Sequence, residues 1–194
     1  MNYNSPHFYN RDTLQVAQDL LGAILVRHID GIRVAGIIVE VEAYCGLIDA
    51  ASHAYKGKTE RNKSMFGPVG HAYVYFIYGA HYSVNIVSRL PNVPAGGVLI
   101  RALQPVEGLD YMHVQRKQTN PFYLTNGPGK LAQALAIDKK LDGITIMQPG
   151  QLFVEQGPDF DRSLIQASPR IGISLAQDHL WRFFIKGNPW VSHP

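Results

Sequence analysis

The stretch that decides the fold runs AILVRHI (23–29), DG (30–31), IRVAGIIVEVEAY (32–44). Both outer runs are rich in β-branched residues, and Asp-Gly between two such runs is a strong local signal for a hairpin turn. The expectation is an antiparallel pair, 23–29 against 32–44. The longer second run ends with two acids, Glu40 and Glu42, in an otherwise apolar sequence. Side chains alternate along a strand, so Glu40, Glu42 and Tyr44 share one face, and Val39, Val41 and Ala43 the other. The glutamates then lie about 6–7 Å apart at Cα, and their repulsion is expected to raise one pKa. That suits a general acid or base. It equally suits one glutamate paired with an arginine, or a solvent-facing edge.

Outward from this hairpin, residues 12–21 space Leu14, Val16, Ala17, Leu20 and Leu21 along a helical face, with Gly22 placed to stop it. Residues 45–70 are polar with scattered glycines and read as a long excursion from the sheet, a feature often tied to function. Strands are expected at 71–78 and 82–88, joined by a turn containing Gly79, and at 97–103. Pro105 should open a helix running to about Arg116, and a second helix should begin near Pro128. The remainder is β-rich, with runs at 151–155, 170–173 and 181–186. Hairpins and short helices without βαβ alternation point to an α+β fold, with a mostly antiparallel, curved sheet surrounded by short helices. No repeat or Pro/Gly/Ser-rich linker divides the chain, so residues 1–194 read as one domain.

Composition narrows the class. With 46% hydrophobic residues and a net charge of +3 over 194 residues, disorder is excluded. The apolar stretches are too short to span a bilayer, and the first residues lack the pattern of a secretory signal. The expected setting is cytoplasmic, with no membrane partner. The single cysteine, Cys45, leaves no room for an internal disulfide or a multi-cysteine metal site. His53, His71 and His81 lack metal-ligand spacing, so no metal is expected. Charge is unevenly spread: residues 1–50 hold three Lys/Arg against six Asp/Glu, whereas residues 51–100 hold five against one. Lys56, Lys58, Arg61 and Lys63 form a basic cluster compatible with a polyanion or with a merely solvated loop. Five of the ten tyrosines fall between residues 55 and 82. Most should pack in a hairpin, but rings beside a basic loop are also how nucleobases are held.

Nine segments together resemble the alkyladenine (3-methyladenine) DNA glycosylases of the single-domain type without a helix-hairpin-helix. They are IVEVEAY (38–44), ASH (51–53), RNKSMF (61–66), YVYFIYG (73–79), NI (85–86), VLIRALQPVEG (98–108), NGPGKL (126–131), PRIGI (169–173) and GNPWVS (187–192). Each is weak alone; their order over nearly the whole chain is specific.

The resemblance implies roles residue by residue. Glu42 matches the base that activates the hydrolytic water, and Arg101 and the carbonyl of Ile171 match groups that help hold that water. Tyr44, His53 and Tyr75 match the residues enclosing a flipped base. Asn85 matches the residue that disfavours the exocyclic amine of ordinary guanine. Tyr78, on a hairpin that would protrude into DNA, matches the wedge that fills the gap. Arg61 and Lys130 are expected DNA contacts. The implied partner is double-stranded DNA containing damaged purines such as 3-methyladenine, 7-methylguanine, hypoxanthine or ethenoadenine. The implied product is an abasic site, formed by a monomer without metal or organic cofactor, with no catalytic lysine.

Physical chemistry accommodates these roles. A base inside a duplex must leave the stack, at a cost of a few kcal/mol that is least for damaged pairs. An inserted side chain offsets part of it. A carboxylate that activates water resembles the base half of an inverting glycosidase. A non-catalytic binder of damaged DNA gains nothing from an acid beside a polyanion. A carbohydrate hydrolase built on Glu40 and Glu42 needs carboxylates on opposite sides of a bond, and i, i+2 positions point the same way.

Overall fold

A computed structural model describes residues 1–77, 79 and 81–193. The hairpin is present as expected: β1 (Ile24–Ile29) pairs antiparallel with β2 (Ile32–Tyr44). Its turn places Asp30 at φ 50° and Gly31 at φ 79°, the two positive values that match the twist of the flanking strands. Six further strands complete one antiparallel sheet: β3 (Ala72–Ile77), β4 (His81–Val87), β5 (Gly97–Glu107), β6 (Leu152–Glu155), β7 (Ile165–Ser168) and β8 (Arg182–Ile185). The order is β3-β4-β5-β2-β1-β6, with β8 also paired to β2 and β7 to β8.

β2 is occupied along both edges. β5 covers one side, and on the other β1 pairs its first half and β8 pairs Glu40–Glu42. The acids of the decisive stretch therefore lie on an interior strand, which rules out the solvent-facing reading. Among the described residues, four short α-helices surround the sheet: α1 (Pro6–Tyr9), α2 (Thr13–Leu20), α3 (Leu109–Arg116) and α4 (Pro128–Ala134). Asp12 caps α2, accepting from the Leu14 and Gln15 amides. Val16, Ala17 and Leu20 on that helix join the main core with Ile38, Val41, Ile100 and Leu103 of the sheet. α4 packs against β4 and β5.

Two sequence expectations are corrected. Pro105 does not open a helix; it lies within β5, opposite Gly36, where the register shifts and the absent N–H breaks no regular ladder. α3 begins only after Gly108, at φ 74°, where a Cβ would meet the Arg33 carbonyl at 2.8 Å. The run 170–173 forms no strand; a strand occupies 165–168 instead, and the chain from 169 to 175 crosses as an irregular strap. Among the described residues no helix is long and apolar enough to cross a membrane.

Candidate active site

The site grows from an irregularity in the β2–β5 ladder. Ile38 pairs with Leu103, Glu40 with Ala102 and Val41 with Ile100, so Val39 is supernumerary on one strand and Arg101 on the other. Paired bulges of this kind re-aim a side chain. Arg101, freed from regular pairing, reaches both acids: its Nε donates to Glu40 Oε1 at 2.9 Å, and its Nη1 lies 3.2 Å from Glu42 Oε1.

The two glutamates have different surroundings. Glu40 is fully buried and accepts from Arg182 Nε at 2.7 Å, the Ser192 amide at 2.6 Å and the Ser192 hydroxyl at 2.9 Å. Burial alone would raise its pKa. The charge of Arg101, the Ser192 amide, and the Arg182 hydrogen bond and charge outweigh it, so the carboxyl is held below its ordinary value. The expectation of a carboxyl raised by repulsion does not hold for Glu40, because arginines separate and neutralise the pair. Glu42 accepts from the Ile171 amide at 2.7 Å on Oε1 and from the Tyr44 hydroxyl at 2.9 Å on Oε2. Burial, followed by the charge of Glu42, raises the Tyr44 pKa, so its hydroxyl stays protonated as a donor. A carboxylate offers about four acceptor positions. Among the described residues, Oε2 accepts from Tyr44 alone.

All three neighbours of Glu42 (Tyr44, Arg101 and Ile171) stand in the wall of a cavity of about 550 Å³, a size suited to a small aromatic ligand. His53, Arg61, Tyr75 and Asn85 line the same cavity. Seven sequence candidates are thus brought together, with Glu42 directly behind the wall and 0% exposed. The aromatic side has defined geometry. Tyr75 stacks on Tyr73 at 5.2 Å, and the His53 ring stands edge-on to Tyr75 at 4.5 Å. His53 Nδ1 hydrogen bonds with the Tyr73 hydroxyl at 3.0 Å. Burial, then the Arg61 charge, lowers the His53 pKa, so the imidazole is neutral at pH 7. Asn85 is held by donation from Nδ2 to the Tyr73 carbonyl at 3.1 Å.

The polar excursion 45–70 is organised rather than loose. Asn62, nearly buried, donates to the carbonyls of His53 and Gly57 at 2.7 and 3.0 Å. Arg61 Nη2 reaches across to the Phe76 carbonyl at 3.2 Å, which ties the basic loop to the β3–β4 hairpin. Lys130 is not in the cavity wall; its ammonium donates to Asn126 Oδ1 at 2.8 Å and lies 5.7 Å from the Tyr123 ring. Its neighbour Pro128 does line the cavity. Tyr78, expected as the wedge, lies outside the described residues. Cys45, adjacent to Tyr44, has its thiol pushed up to about 12, chiefly by burial and then by Asp49, so it is no nucleophile at neutral pH.

Sequence reasoning missed Arg182 and Ser192, which hold Glu40 from 142 and 152 residues away. It also missed the buried pair Asp49–Arg170, 121 residues apart. Of these, Arg170 and Ser192 fall in quoted motifs, PRIGI and GNPWVS, which were the only available signal.

Comparison with known proteins follows the same lines. The family model described as Methylpurine-DNA glycosylase (MPG) matches residues 7–189. A protein of Chlorobaculum tepidum named "Putative 3-methyladenine DNA glycosylase" is 48% identical, over 95% of this chain and 88% of its own length. Proteins of the same name from Methanoculleus marisnigri and Clostridium acetobutylicum are 48% and 45% identical. Each alignment covers 95% of this chain, and 96% and 95% of the respective relative.

Proposed function

This chain belongs to the methylpurine-DNA glycosylase family and is a DNA glycosylase, a hydrolase of N-glycosyl bonds acting in DNA repair; we propose that it releases alkylated or deaminated purines by means of a water activated by Glu42. The proposed substrates are 3-methyladenine, 7-methylguanine, hypoxanthine and ethenoadenine in duplex DNA. The observation that carries the reading is the carboxylate of Glu42, hydrogen bonded to Tyr44 and Ile171 and ion-paired with Arg101, three residues that wall a cavity lined with aromatic rings.

A damaged nucleotide rotates out of the duplex, and its base enters between Tyr75, His53 and Tyr44. Cationic alkylpurines gain from stacking on electron-rich rings. Asn85 occupies the space where the exocyclic amine of guanine would lie. Tyr78 fills the vacated position in the duplex, and Arg61 and Lys130 contact phosphates. Water reaches Glu42 Oε2 through a small displacement of the Tyr44 ring, since the carboxylate has no exposed surface. Glu42 takes a proton from that water as its oxygen attacks C1′. The glycosidic electron pair leaves with the purine nitrogen, and the negative charge of Glu42 stabilises the oxocarbenium-like sugar. A cationic base departs neutral and Glu42 returns its proton to solvent; a neutral base departs with a proton taken up from solvent in exchange for the one Glu42 returns, so that water is added across the bond. Arg101 fixes the carboxylate, and the Ile171 carbonyl helps hold the water.

The proposed reaction is hydrolysis to an abasic site, with water rather than an amine as the nucleophile. The test is single-turnover incubation with duplexes carrying one hypoxanthine or one ethenoadenine, and with methylated DNA, followed by alkali cleavage. Release of the damaged base is expected. Tight binding of these duplexes without release from any of them would replace this reading with that of a damage-binding protein.

A further inference from the structure

The two hydrogen bonds that Glu42 accepts come from Ile171 and Tyr44, both neighbours of Arg170, a residue that hydrogen bonds to neither Glu42 nor any group of the cavity wall. Arg170 is buried, and its Nη1 and Nη2 donate to Asp49 at 2.6 and 2.8 Å in a bidentate pair. Nη1 also donates to the Ala43 carbonyl at 2.9 Å, beside Glu42 on β2. The guanidinium lies 4.6 Å from the Tyr44 ring centroid and 5.0 Å from that of Trp181. Trp181 in turn stacks on His179 at 4.2 Å. Asp49 is itself fixed by the amides of Cys45 and Ala51. One planar side chain therefore joins three walls: the end of β2, the excursion that follows it, and the strap from 169 to 175.

We propose that Arg170 is a positioning residue for Glu42, setting both of its neutral donors at once. Its backbone continues directly into the Ile171 amide that donates to Oε1, and its guanidinium supports the ring whose hydroxyl donates to Oε2. A lysine at this position keeps the charge toward Asp49 but loses the planar fork and the stacking surface. The inference rests on Glu42 being the base. The charged and titratable groups around that carboxylate are Glu40 and Tyr44 on β2, Arg101 on β5, Arg182 on β8, and Arg170 with Asp49 across the strap.

The experiment measures single-turnover release of hypoxanthine from duplex DNA against pH for wild type and Arg170→Lys. The double variant Asp49→Asn/Arg170→Gln, which leaves no unpaired buried charge, is run beside them. Duplex affinity is measured for each protein. Loss of one charge-assisted hydrogen bond to the reacting carboxylate predicts a rate about 10- to 100-fold lower at pH 7, with duplex affinity within threefold. A carboxylate that loses an N–H donor is more readily protonated, so the acidic limb of both variants moves to higher pH. The position of that limb does not depend on how much of the protein is folded. A limb that stays in place, with loss of rate proportional to loss of folded protein, overturns the inference and leaves Arg170 as a structural pin. Glu42→Gln in the same series separates the two readings. If it retains release, the base assignment fails and the inference with it; if it is inactive while Arg170→Lys behaves as wild type, the inference alone fails.

Discussion

Replacing Glu40 by glutamine tests whether the second acid serves stability rather than proton transfer. Four side chains, Glu40, Glu42, Arg101 and Arg182, form a buried cluster with two charges of each sign. The side chains of both glutamates are fully buried, and those of the arginines are 7% and 6% exposed. Glu40→Gln preserves volume but leaves one positive charge in excess, with Arg101 and Arg182 sharing Glu42. Removing one partner of a buried ion pair costs about 3–5 kcal/mol. At about 2–4 °C per kcal/mol for a domain of this size, Tm should fall by roughly 6–20 °C at pH 7. The pH dependence has a definite sign. Glu40 has its pKa depressed in the fold, so its contribution is complete above its ordinary value of 4.5 and is lost as pH falls through the lower folded value. The gap between wild type and Glu40→Gln should therefore be constant from pH 6 to 8 and shrink below pH 4.5. Thermal unfolding followed by circular dichroism at several pH values measures it. Equal Tm values at pH 7, or a gap unchanged at pH 3.5, would refute the assignment of Glu40 as an ionised structural hub.

Other consequences are checked more briefly. Gly46 sits at φ 60°, and a Cβ there would meet the Ala95 backbone oxygen at 2.1 Å. Gly46→Ala therefore combines left-handed strain with a clash against main chain, for about 2–5 kcal/mol of destabilisation in chemical denaturation. Arg61→Ala should weaken binding of damaged and undamaged duplex alike and lower the slope of log affinity against log salt by about 1. A variant that loses only lesion discrimination, with the slope unchanged, would place Arg61 in base recognition instead.

What could be read in advance follows the range of the interactions involved. The β1–β2 hairpin was legible because its cause is local: Asp30 and Gly31 supply the turn, and the runs beside them pair with each other. Asp12 and Gly22 bracket a helix of one amphipathic face in the same way. Pro105 misled because the propensity of proline for a helix start was weighed without its partner strand; a register shift opposite Gly36 accommodates it inside β5. The run 170–173 reads as a strand because Ile171 and Ile173 alternate as strand residues do, yet it belongs to the irregular strap at 169–175. Its conformation is set by contacts with distant residues, Asp49 and Glu42, which no local pattern encodes.

The candidate site shows the same division. Alternation along β2 placed Glu40, Glu42 and Tyr44 together, and the structure has Glu40 and Glu42 sharing one guanidinium and Tyr44 donating to Glu42. Which acid is the hub and which faces the cavity could not follow from spacing, because the answer lies in the bulge that frees Arg101 and in the arrival of Arg182 and Ser192 from the other end of the chain. The family resemblance ranked Glu42 first. The structure distinguishes the two acids: Glu40 is surrounded by donors, whereas Glu42 is held by residues of the cavity wall, and the proposal that Glu42 is the base rests on that difference.

The most direct test compares wild type, Glu42→Gln and Glu40→Gln for single-turnover release of ethenoadenine from a duplex, with binding measured in parallel. The account predicts that Glu42→Gln binds the duplex as wild type does but releases the base about 100- to 10,000-fold more slowly. Glu40→Gln, once allowance is made for its folded fraction, should retain far more of the rate. Release by Glu42→Gln within tenfold of wild type, with Glu40→Gln inactive though folded, would contradict it and transfer the role of base to Glu40.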